Sequence, residues 1–371
     1  MLKMHPHNPN FYGHALACIL MVFLVSCSRH TPKTQTFTIN NVNPRLDVDG
    51  QSIDAHGGCM QFFNGRFYLY GNAFGTNHDD KFFNCPFAVY SSPNMVDWKL
   101  EGTLLKDAPK GVYYRPYVVF NPGTQKYVLW YNWYQTLWKG QAGVAESDSP
   151  VGPFVVATPK AHLSGSSPGD GSLFVDNDGT GYYVYTDIAN DYALRVERLT
   201  TNYLDSSGVM SGFVGYGVEA PILFRRNDFY YILCGPLCSD CPQGSSVSVE
   251  MGYSPLGPFQ VIGEINDYSP SNNMQAKEYT VPPADQTNSD GFVHPPKARP
   301  FIRGQETWVT RLPTAGMPQF IWMADGWKSA KDGMRGHDFQ YWSAPLKFNP
   351  DGTIQSLKFS ASWSLTWKQA Q

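Results

Sequence analysis

Short apolar runs that contain paired aromatic residues recur along the chain. Most of them follow a tight-turn signal, such as Asn64-Gly65 or Asp178-Gly179, and a second short apolar run precedes the turn. This pattern predicts pairs of antiparallel strands joined by tight turns. The aromatic runs occupy residues 66–70, 126–130, 181–185, 229–233 and, as a weaker copy, 319–323.

The spacing of this repeat predicts the architecture. Its successive aromatic anchors are separated by 59, 56, 48 and 89 residues, and the last interval contains a polar, proline-rich insertion at 261–297. A unit of about 50 residues built only from strands is typical of a four-stranded propeller blade. We therefore predict an all-β, five-bladed β-propeller over residues 43–371; a β-sandwich would not need the same motif at this spacing. The anchors are Tyr68, Tyr127, Tyr183, Tyr231 and Phe320.

The composition agrees with a turn-rich β protein. Aromatic residues make up 15% of the 371 residues, and the chain contains 34 glycines and 28 prolines, which does not favour long helices. Charged residues amount to 16%, against roughly 25% in an average soluble protein. The net charge is -3, so the chain lacks the basic excess that nucleic-acid binding requires.

The beginning of the chain resembles an export signal. Residues 15–25 are apolar but too few to span a bilayer, which needs about 20. Residues 24–27 (LVSC) resemble a bacterial lipoprotein box, in which Cys27 would be lipidated and attach the protein to a membrane; ordinary secretory cleavage nearby is the alternative. We predict a signal peptide over 1–27, a polar tether over 28–42, and an outer-membrane, periplasmic or extracellular location.

The cysteines indicate disulfide chemistry more than a metal site. Removing Cys18 and Cys27 from the seven cysteines leaves five, an odd number, so at least one has no partner within the chain. Cys234, Cys238 and Cys241 have spacings that zinc sites use, but no fourth ligand follows at a suitable distance. We therefore expect a disulfide-bearing loop there and predict no metal site.

Polar residues stand at nearly equal distances before the aromatic anchors. In a propeller the first strand of every blade lines the central channel, so residues at the starts of these strands converge. The residues lie 12, 12, 13, 12 and 15 positions ahead of their anchors. They are His56, Arg115, Asp170, Glu219 and Gln305.

Two carboxylates in one channel suit glycosidic bond cleavage. The bond breaks through an oxocarbenium-like state, and the leaving oxygen needs a proton from an acid. Glu219 is the candidate acid because its neighbours Ala220, Pro221 and Ile222 favour the protonated carboxyl by desolvation. Asp170 could tune and orient that acid. The alternative for either residue is a solvated loop carboxylate or a buried ion-pair partner.

These residues resemble those of glycoside hydrolase family 43, whose members are five-bladed propeller glycosidases. The similarity covers residues 43–357, and it is greatest to the exo-β-1,3-galactanase branch. It implies inverting hydrolysis, with Glu219 as the general acid and Asp170 as the aspartate that modulates its pKa. The motifs that carry the resemblance are 47–50 (DVDG), 55–58 (AHGG), 115–116 (RP), 170–174 (DGSLF), 219–221 (EAP) and 336–342 (GHDFQYW).

The sequence departs from the family at the general base. The family's base is an Asp in the first blade, where this chain has Gly57 or His56. The galactanase branch also lacks that Asp, and a Gln in its fifth blade is thought to position the water; Gln305 matches this Gln. Asp54 is a rival base. Tyr114 stands where the branch has a Glu, which leaves galactan specificity open.

We also expect several residues to contact an oligosaccharide or polysaccharide substrate. Tryptophans can stack on sugar rings, although packing between blades is the alternative role for each of Trp133, Trp138, Trp322 and Trp327. No cofactor is implied, although a structural calcium in the channel is compatible with the resemblance. The predicted substrate-binding residues are His56, Asp54, Arg115, Tyr114, Trp133 and His337.

Two functions from different classes follow from these patterns. The first is an exported glycosidase that cleaves terminal bonds of plant or algal polysaccharides. The second is a catalytically silent propeller that binds glycans, which the missing first-blade Asp and Tyr114 favour. The retained Glu219 and Asp170 favour the enzyme.

Overall fold

The computed structural model describes Met1 and residues 34–78, 87–106, 110–237, 239, 242–266, 301–312, 314 and 317–368. Within these residues the regular structure is 21 strands and three short 3-10 helices. Lys33–Gln371 form one compact unit. None of the described helices is long and apolar enough to cross a membrane.

The strands form five consecutive antiparallel sheets, which confirms the predicted five-bladed β-propeller. Blades I and II comprise β2 (Met60–Phe63), β3 (Arg66–Asn72), β4 (Phe87–Ser92), β5 (Lys99–Thr103), β6 (Val112–Asn121), β7 (Lys126–Tyr134), β8 (Gly140–Ser147) and β9 (Val155–Thr158). Blades III to V comprise β10 (Pro168–Val175), β11 (Gly181–Asp187), β12 (Ala193–Leu199), β13 (Ser206–Met210), β14 (Val218–Arg226), β15 (Phe229–Pro236), β16 (Val247–Gly252), β17 (Phe259–Asn266), β18 (Gln305–Leu312), β19 (Gln319–Gly326) and β20 (Phe339–Trp342).

The aromatic anchors all lie in the second strand of their blades, where both faces of the sheet are covered by neighbouring blades. Trp130 of blade II packs on Tyr183 of blade III at 4.6 Å between ring centroids, and Phe224 of blade IV packs on Phe320 of blade V at 5.2 Å. Burial on both faces explains the nearly continuous apolar runs in the sequence. At the hairpin between β2 and β3, Asn64 and Gly65 both have positive φ, as a type I′ turn requires.

Side chains from two non-adjacent blades meet inside the propeller. The Tyr117 ring packs against Trp308 at 5.2 Å, and the Tyr117 hydroxyl donates a hydrogen bond to the Thr307 carbonyl oxygen at 2.6 Å. These contacts join blade II to blade V across the axis.

The two ends of the described chain pair with each other. Strand β1 (Thr34–Asn40) runs antiparallel to β21 (Ser362–Lys368). The prediction of a polar tether over 28–42 was therefore wrong for residues 34–40, whose alternating side chains bury Phe37 and Ile39. The predicted signal peptide over 1–27 lies outside the described residues, apart from Met1.

A cluster of charged side chains is buried beneath the start of blade I. His56 is fully buried, with its ring nitrogens 3.6 Å from Asp54 Oδ1 and 3.7 Å from Asp325 Oδ1. Nearby, Arg335 Nε lies 2.8 Å from Asp338 Oδ2. Burial by itself lowers the pKa of His56, but Asp325, Asp54 and Asp338 outweigh burial and raise it to about 9. His56 is therefore a buried cation at neutral pH.

We expect the protein to become less stable as the pH rises from about 6.5 towards 9 and above. A raised folded-state pKa contributes stability that is complete below the unfolded-state value of 6.5 and is lost through about 9. The loss is on the order of 3 kcal/mol in the free energy of unfolding, which chemical denaturation at a series of pH values measures. His56→Asn should flatten this dependence.

The matched control for this pH dependence is His162→Asn, which changes an exposed histidine paired with Asp205 at 2.6 Å. It should keep the wild-type profile. An identical profile in His56→Asn and wild type would contradict the role of His56.

Candidate active site

The first strands of blades II to V each change register close to a predicted site residue. The irregularities fall between Tyr114 and Tyr117, Pro168 and Gly171, Glu219 and Ile222, and Glu306 and Trp308. A β-bulge inserts an extra residue and turns a side chain away from the regular alternation. The bulges thus aim polar side chains into the channel from strands that are otherwise apolar.

Two bulge residues hold backbone conformations that are rare for residues other than glycine. Arg115 has φ +54° and Ala220 has φ +53°. Such left-handed positions typically cost about 1–3 kcal/mol and persist where the surrounding structure fixes them. Here the hydrogen bonds of the channel fix both.

The bulged strand starts surround a cavity of about 250 Å³ at one end of the propeller. Its described lining combines charged groups with aromatic walls, which is the usual chemistry of a site for a small polar ligand. The lining residues are Gly57, Asn72, Phe74, Tyr114, Arg115, Tyr134, Trp138, Asp170, Glu219, Ser239, Gln305, Trp327 and Lys328.

Arg115 connects three blades at the base of this cavity. Its Nη2 donates to Asp170 Oδ2 at 2.7 Å and to Gln305 Oε1 at 2.9 Å, and its Nη1 donates to the Glu306 carbonyl oxygen at 3.2 Å. The side chain is 4% exposed. Burial lowers the pKa of Arg115, but Asp170 more than compensates, so the pKa is raised and the guanidinium stays charged.

Glu219 is held by the amide of Gln305. Gln305 Nε2 donates to Glu219 Oε2 at 3.2 Å. Asp170 is tied to the same strand, because its Oδ2 accepts a hydrogen bond from the Ala220 backbone N–H at 3.1 Å. The structure therefore brings four of the five predicted strand-start residues together: Arg115, Asp170, Glu219 and Gln305.

The amide oxygen of Gln305 already accepts two hydrogen bonds. Arg115 Nη2 and Trp327 Nε1 donate to Oε1 at 2.9 and 3.0 Å, which uses both of its lone pairs. A proton acceptor in an inverting enzyme stands about 6.5–9.5 Å from the acid, whereas Gln305 touches Glu219. This geometry favours Gln305 as a positioning residue over the base-like role predicted from the sequence.

The predicted rival base, Asp54, does not line the cavity. Its carboxylate oxygens accept hydrogen bonds from the backbone N–H groups of Phe74 at 2.9 Å and Gly75 at 2.6 Å. His56 lies in the buried charged cluster, behind Gly57, whose N–H donates to Asp325. In this arrangement both residues support the cavity wall rather than face it.

Two other predicted substrate contacts lie away from the cavity. Trp133 packs beside Tyr113 at 6.4 Å between ring centroids and does not reach the lining. His337 lies at the surface, where its Nδ1 is 2.7 Å from Asp332 Oδ2. Tyr114 does line the cavity.

Sequence reasoning missed part of the lining. Asn72 and Tyr134 lie at the ends of the second strands of blades I and II, and Phe74 and Lys328 lie in the loops that follow such strands. The signal that identifies them is topological, since the loop after a second strand returns to the end where the first strand begins.

Glu306 was also missed, and it carries an unusual carboxyl group. Its side chain is fully buried, and neither carboxyl oxygen has a hydrogen-bond partner among the described residues. Burial raises the pKa of Glu306 well above its ordinary value, so the group is neutral. Strand alternation places it behind Gln305, on the side away from the cavity.

The described residues contain no group of three or more side chains suited to a metal ion. Cys59 and Cys234 are buried free thiols, so the disulfide expected in the 234–241 loop does not include Cys234. Cys238 and Cys241 lie outside the described residues.

Comparison with solved structures gives the same architecture. The exo-β-1,3-galactanase from Clostridium thermocellum superposes with a TM-score of 0.69 at 24% identity, covering 88% of this chain and 66% of the other. The exo-β-1,3-galactanase from Phanerochaete chrysosporium, in a structure with β-1,3-galactotriose, gives 0.68 at 21% identity, covering 88% and 68%. At these identities the likeness shows the fold alone.

Sequence comparison gives the family. An arabinoxylan arabinofuranohydrolase of Bacillus subtilis (strain 168) is 27% identical over 307 residues, which is 66% of this chain and 56% of the relative. This chain thus spans about half the length of that curated relative. The profile of "Glycosyl hydrolases family 43" matches residues 63–327, more than half of the chain, including all four converging site residues. The chain belongs to glycosyl hydrolases family 43.

Proposed function

We propose that this protein hydrolyses terminal glycosidic bonds in a β-1,3-linked galactan or a related polysaccharide, one sugar at a time. The observation that carries the proposal is the contact between Glu219 and Gln305 in a cavity that also holds the Asp170–Arg115 pair. A carboxyl group bound by a neutral amide, next to an ion-paired carboxylate, provides a proton donor and a fixed negative charge at one point.

Glu219 protonates the leaving oxygen in this proposal. Because Gln305 Nε2 donates to Oε2, that oxygen is an acceptor, and the acidic proton resides on Oε1. In this proposal the proton on Oε1 is transferred to the glycosidic oxygen as the bond breaks. General acid catalysis of this kind contributes about 10²–10⁴-fold to the rate.

Asp170 keeps its negative charge and orients the acid. Its Oδ2 accepts hydrogen bonds from Arg115 Nη2 and from the Ala220 N–H, both of which stabilise the carboxylate. A fixed negative charge beside Glu219 favours the protonated form of that residue.

The same contacts support inversion of configuration. A protein nucleophile must approach the anomeric carbon from the face opposite the leaving group. Asp170 is bound to the backbone next to Glu219, on the acid's own side, so it is badly placed for that attack. Direct attack by water, which inverts the configuration, is therefore the mechanism we propose.

Different observations support the two parts of the proposal, exo action and the identity of the sugar. Arg115 and Gln305 bind each other at the base of the cavity, so a chain end enters more readily than a chain interior. Galactose is suggested by the galactanase structures, whereas the curated relatives are arabinofuranohydrolases. Tyr114 at the cavity wall is the residue that we expect to modify the choice.

A second function, glycan binding without catalysis, has one observation in its favour. Asp170 and Glu219 are the only carboxylates among the described residues that line the cavity, so no carboxylate base faces the acid there. Binding of an oligosaccharide without release of sugar, at high protein concentration and long times, would support this alternative.

Replacing the acid should separate substrates by their leaving groups. We expect Glu219→Gln to lower kcat/KM on β-1,3-galactobiose about 1,000-fold, because an alcohol leaving group needs the proton. An aryl galactoside, whose leaving group is already acidic, should lose far less. Product NMR at early times measures both the rates and the inverted anomer.

The matched control for this experiment is Glu264→Gln, an exposed glutamate on the outer strand β17, which should behave as wild type. Equal losses on the two substrates in Glu219→Gln would contradict the acid role, and a product of retained configuration would contradict inversion.

Replacing the Asp170 carboxylate should shift the pH dependence of kcat/KM. In Asp170→Asn, the protonated form of Glu219 loses its negative neighbour while Arg115 remains, so the acid deprotonates more easily. The alkaline limb of kcat/KM should shift to lower pH by roughly one unit. An unchanged limb, or a shift to higher pH, would show that Asp170 does not act on the acid electrostatically.

We also propose that the protein is exported and anchored through a lipid on Cys27. The apolar run at 15–25 and the LVSC sequence that ends at Cys27 support this proposal. In a bacterial host, the full-length chain should partition into the membrane fraction and incorporate labelled fatty acid. Cys27→Ser should abolish the labelling, and Cys18→Ser should not. Labelling that persists in Cys27→Ser would contradict the assignment.

A further inference from the structure

The loop between β13 and β14 exposes two aromatic rings to solvent. Phe213 is 77% and Tyr216 69% exposed, and their ring centroids lie 6.2 Å apart with 45° between the planes. Glycines stand at 212 and 215, and a Cβ atom added at either would meet nothing within 4 Å. The ring faces are therefore open to a ligand.

This loop is fixed to the propeller next to the catalytic cavity. The Gly217 N–H donates to the Asp191 carbonyl oxygen at 2.9 Å, and the Leu194 N–H donates to the Gly215 carbonyl oxygen at 2.8 Å. Two residues after Gly217 the chain reaches Glu219. The rings therefore lie at the same end of the propeller as the cavity, on the side of the acid.

Tyr192 stands beside the point where the loop is anchored. It follows Asp191, which binds the loop, and both residues have positive φ, 51° and 54°. Burial, followed by the charges of Glu219 and Asp170, raises the pKa of Tyr192. This aromatic residue is therefore close both to the residue that anchors the loop and to the two carboxyl groups of the cavity.

The chemistry of the acid indicates what passes over this loop. A general acid lies against the glycosidic oxygen, which joins the sugar in the cavity to the rest of the chain. The part of the substrate that leaves must therefore extend past Glu219, and the loop that carries Phe213 and Tyr216 leads directly into that residue.

We propose that Phe213 and Tyr216 form a binding subsite for the leaving portion of the substrate, a neutral pyranose chain whose C–H faces stack on the two rings. This inference rests on the proposed function. Two rings cover at most a few hundred Å², which is less than the roughly 800 Å² per partner of a stable protein interface. A saccharide continuous with the cavity is the occupant that fits this area.

The test compares substrates of different length. In wild type, kcat/KM should rise from β-1,3-linked galactobiose to galactotetraose. In the double variant Phe213→Ala/Tyr216→Ala, kcat/KM for the tetraose should fall roughly tenfold through KM, with kcat nearly unchanged. Activity on the aryl galactoside should stay within twofold. Tyr216→Phe should keep the wild-type preference, because stacking needs the ring and not the hydroxyl.

The matched control is Tyr253→Ala. Tyr253 is also 77% exposed, but it packs on Phe229 at 5.1 Å, at the opposite end of the propeller. It should leave the length preference unchanged. The subsite would be overturned if kcat/KM fell equally in this control, or if the double variant lost kcat/KM equally on short and long substrates. It would also be overturned if wild type showed no preference for longer substrates. The subsite would also be overturned if wild type formed an oligomer in sedimentation experiments and the double variant did not.

Failure of the proposed function gives a different result. If wild type cleaves none of these substrates, calorimetric titration with galactotetraose decides the subsite separately. If galactotetraose binds about tenfold more weakly to the double variant but not to Tyr253→Ala, the subsite is supported in a protein that binds glycans without cleaving them. Binding that is equal in all three proteins, or absent, overturns it.

Discussion

The cation of Arg115 is the interaction on which the site depends. It is buried in the channel, and it binds Asp170, Gln305 and the Glu306 carbonyl oxygen, which belong to blades III and V. An isolated buried charge is strongly unfavourable, so the cation and the Asp170 carboxylate stabilise each other. The left-handed backbone at Arg115 places it where both blades are within reach.

The three carboxyl groups near Arg115 have different surroundings. Asp170 receives the guanidinium, whereas Glu306 receives neither an ion-pair partner nor a hydrogen bond among the described residues and is kept neutral by burial. Glu219 accepts a hydrogen bond from the neutral amide of Gln305. The Arg115 cation therefore stabilises the carboxylate of Asp170 directly.

The sequence predicted the fold well because the repeat is a consequence of packing. Second strands are covered on both faces, so Tyr127 and Tyr183 stand in similar apolar runs. Counting back from these anchors located Arg115 and Asp170, since the first strands of blades II and III begin at equivalent points.

The same count failed for His56 because β2 begins only at Met60, and the preceding segment joins Asn72 through an isolated bridge. Gln305 contacts both Arg115 and Trp327 because of β-bulges and of the paths that the loops take. The spacing of residues along the sequence does not predict either feature. Gly57 and Asn72 supply no carboxyl group from blade I, whereas Asp170 and Glu219 line the described cavity close to each other. In the proposed mechanism such a site assists departure of the leaving group more than attack by water, so binding of the leaving chain becomes the main means of selecting a substrate.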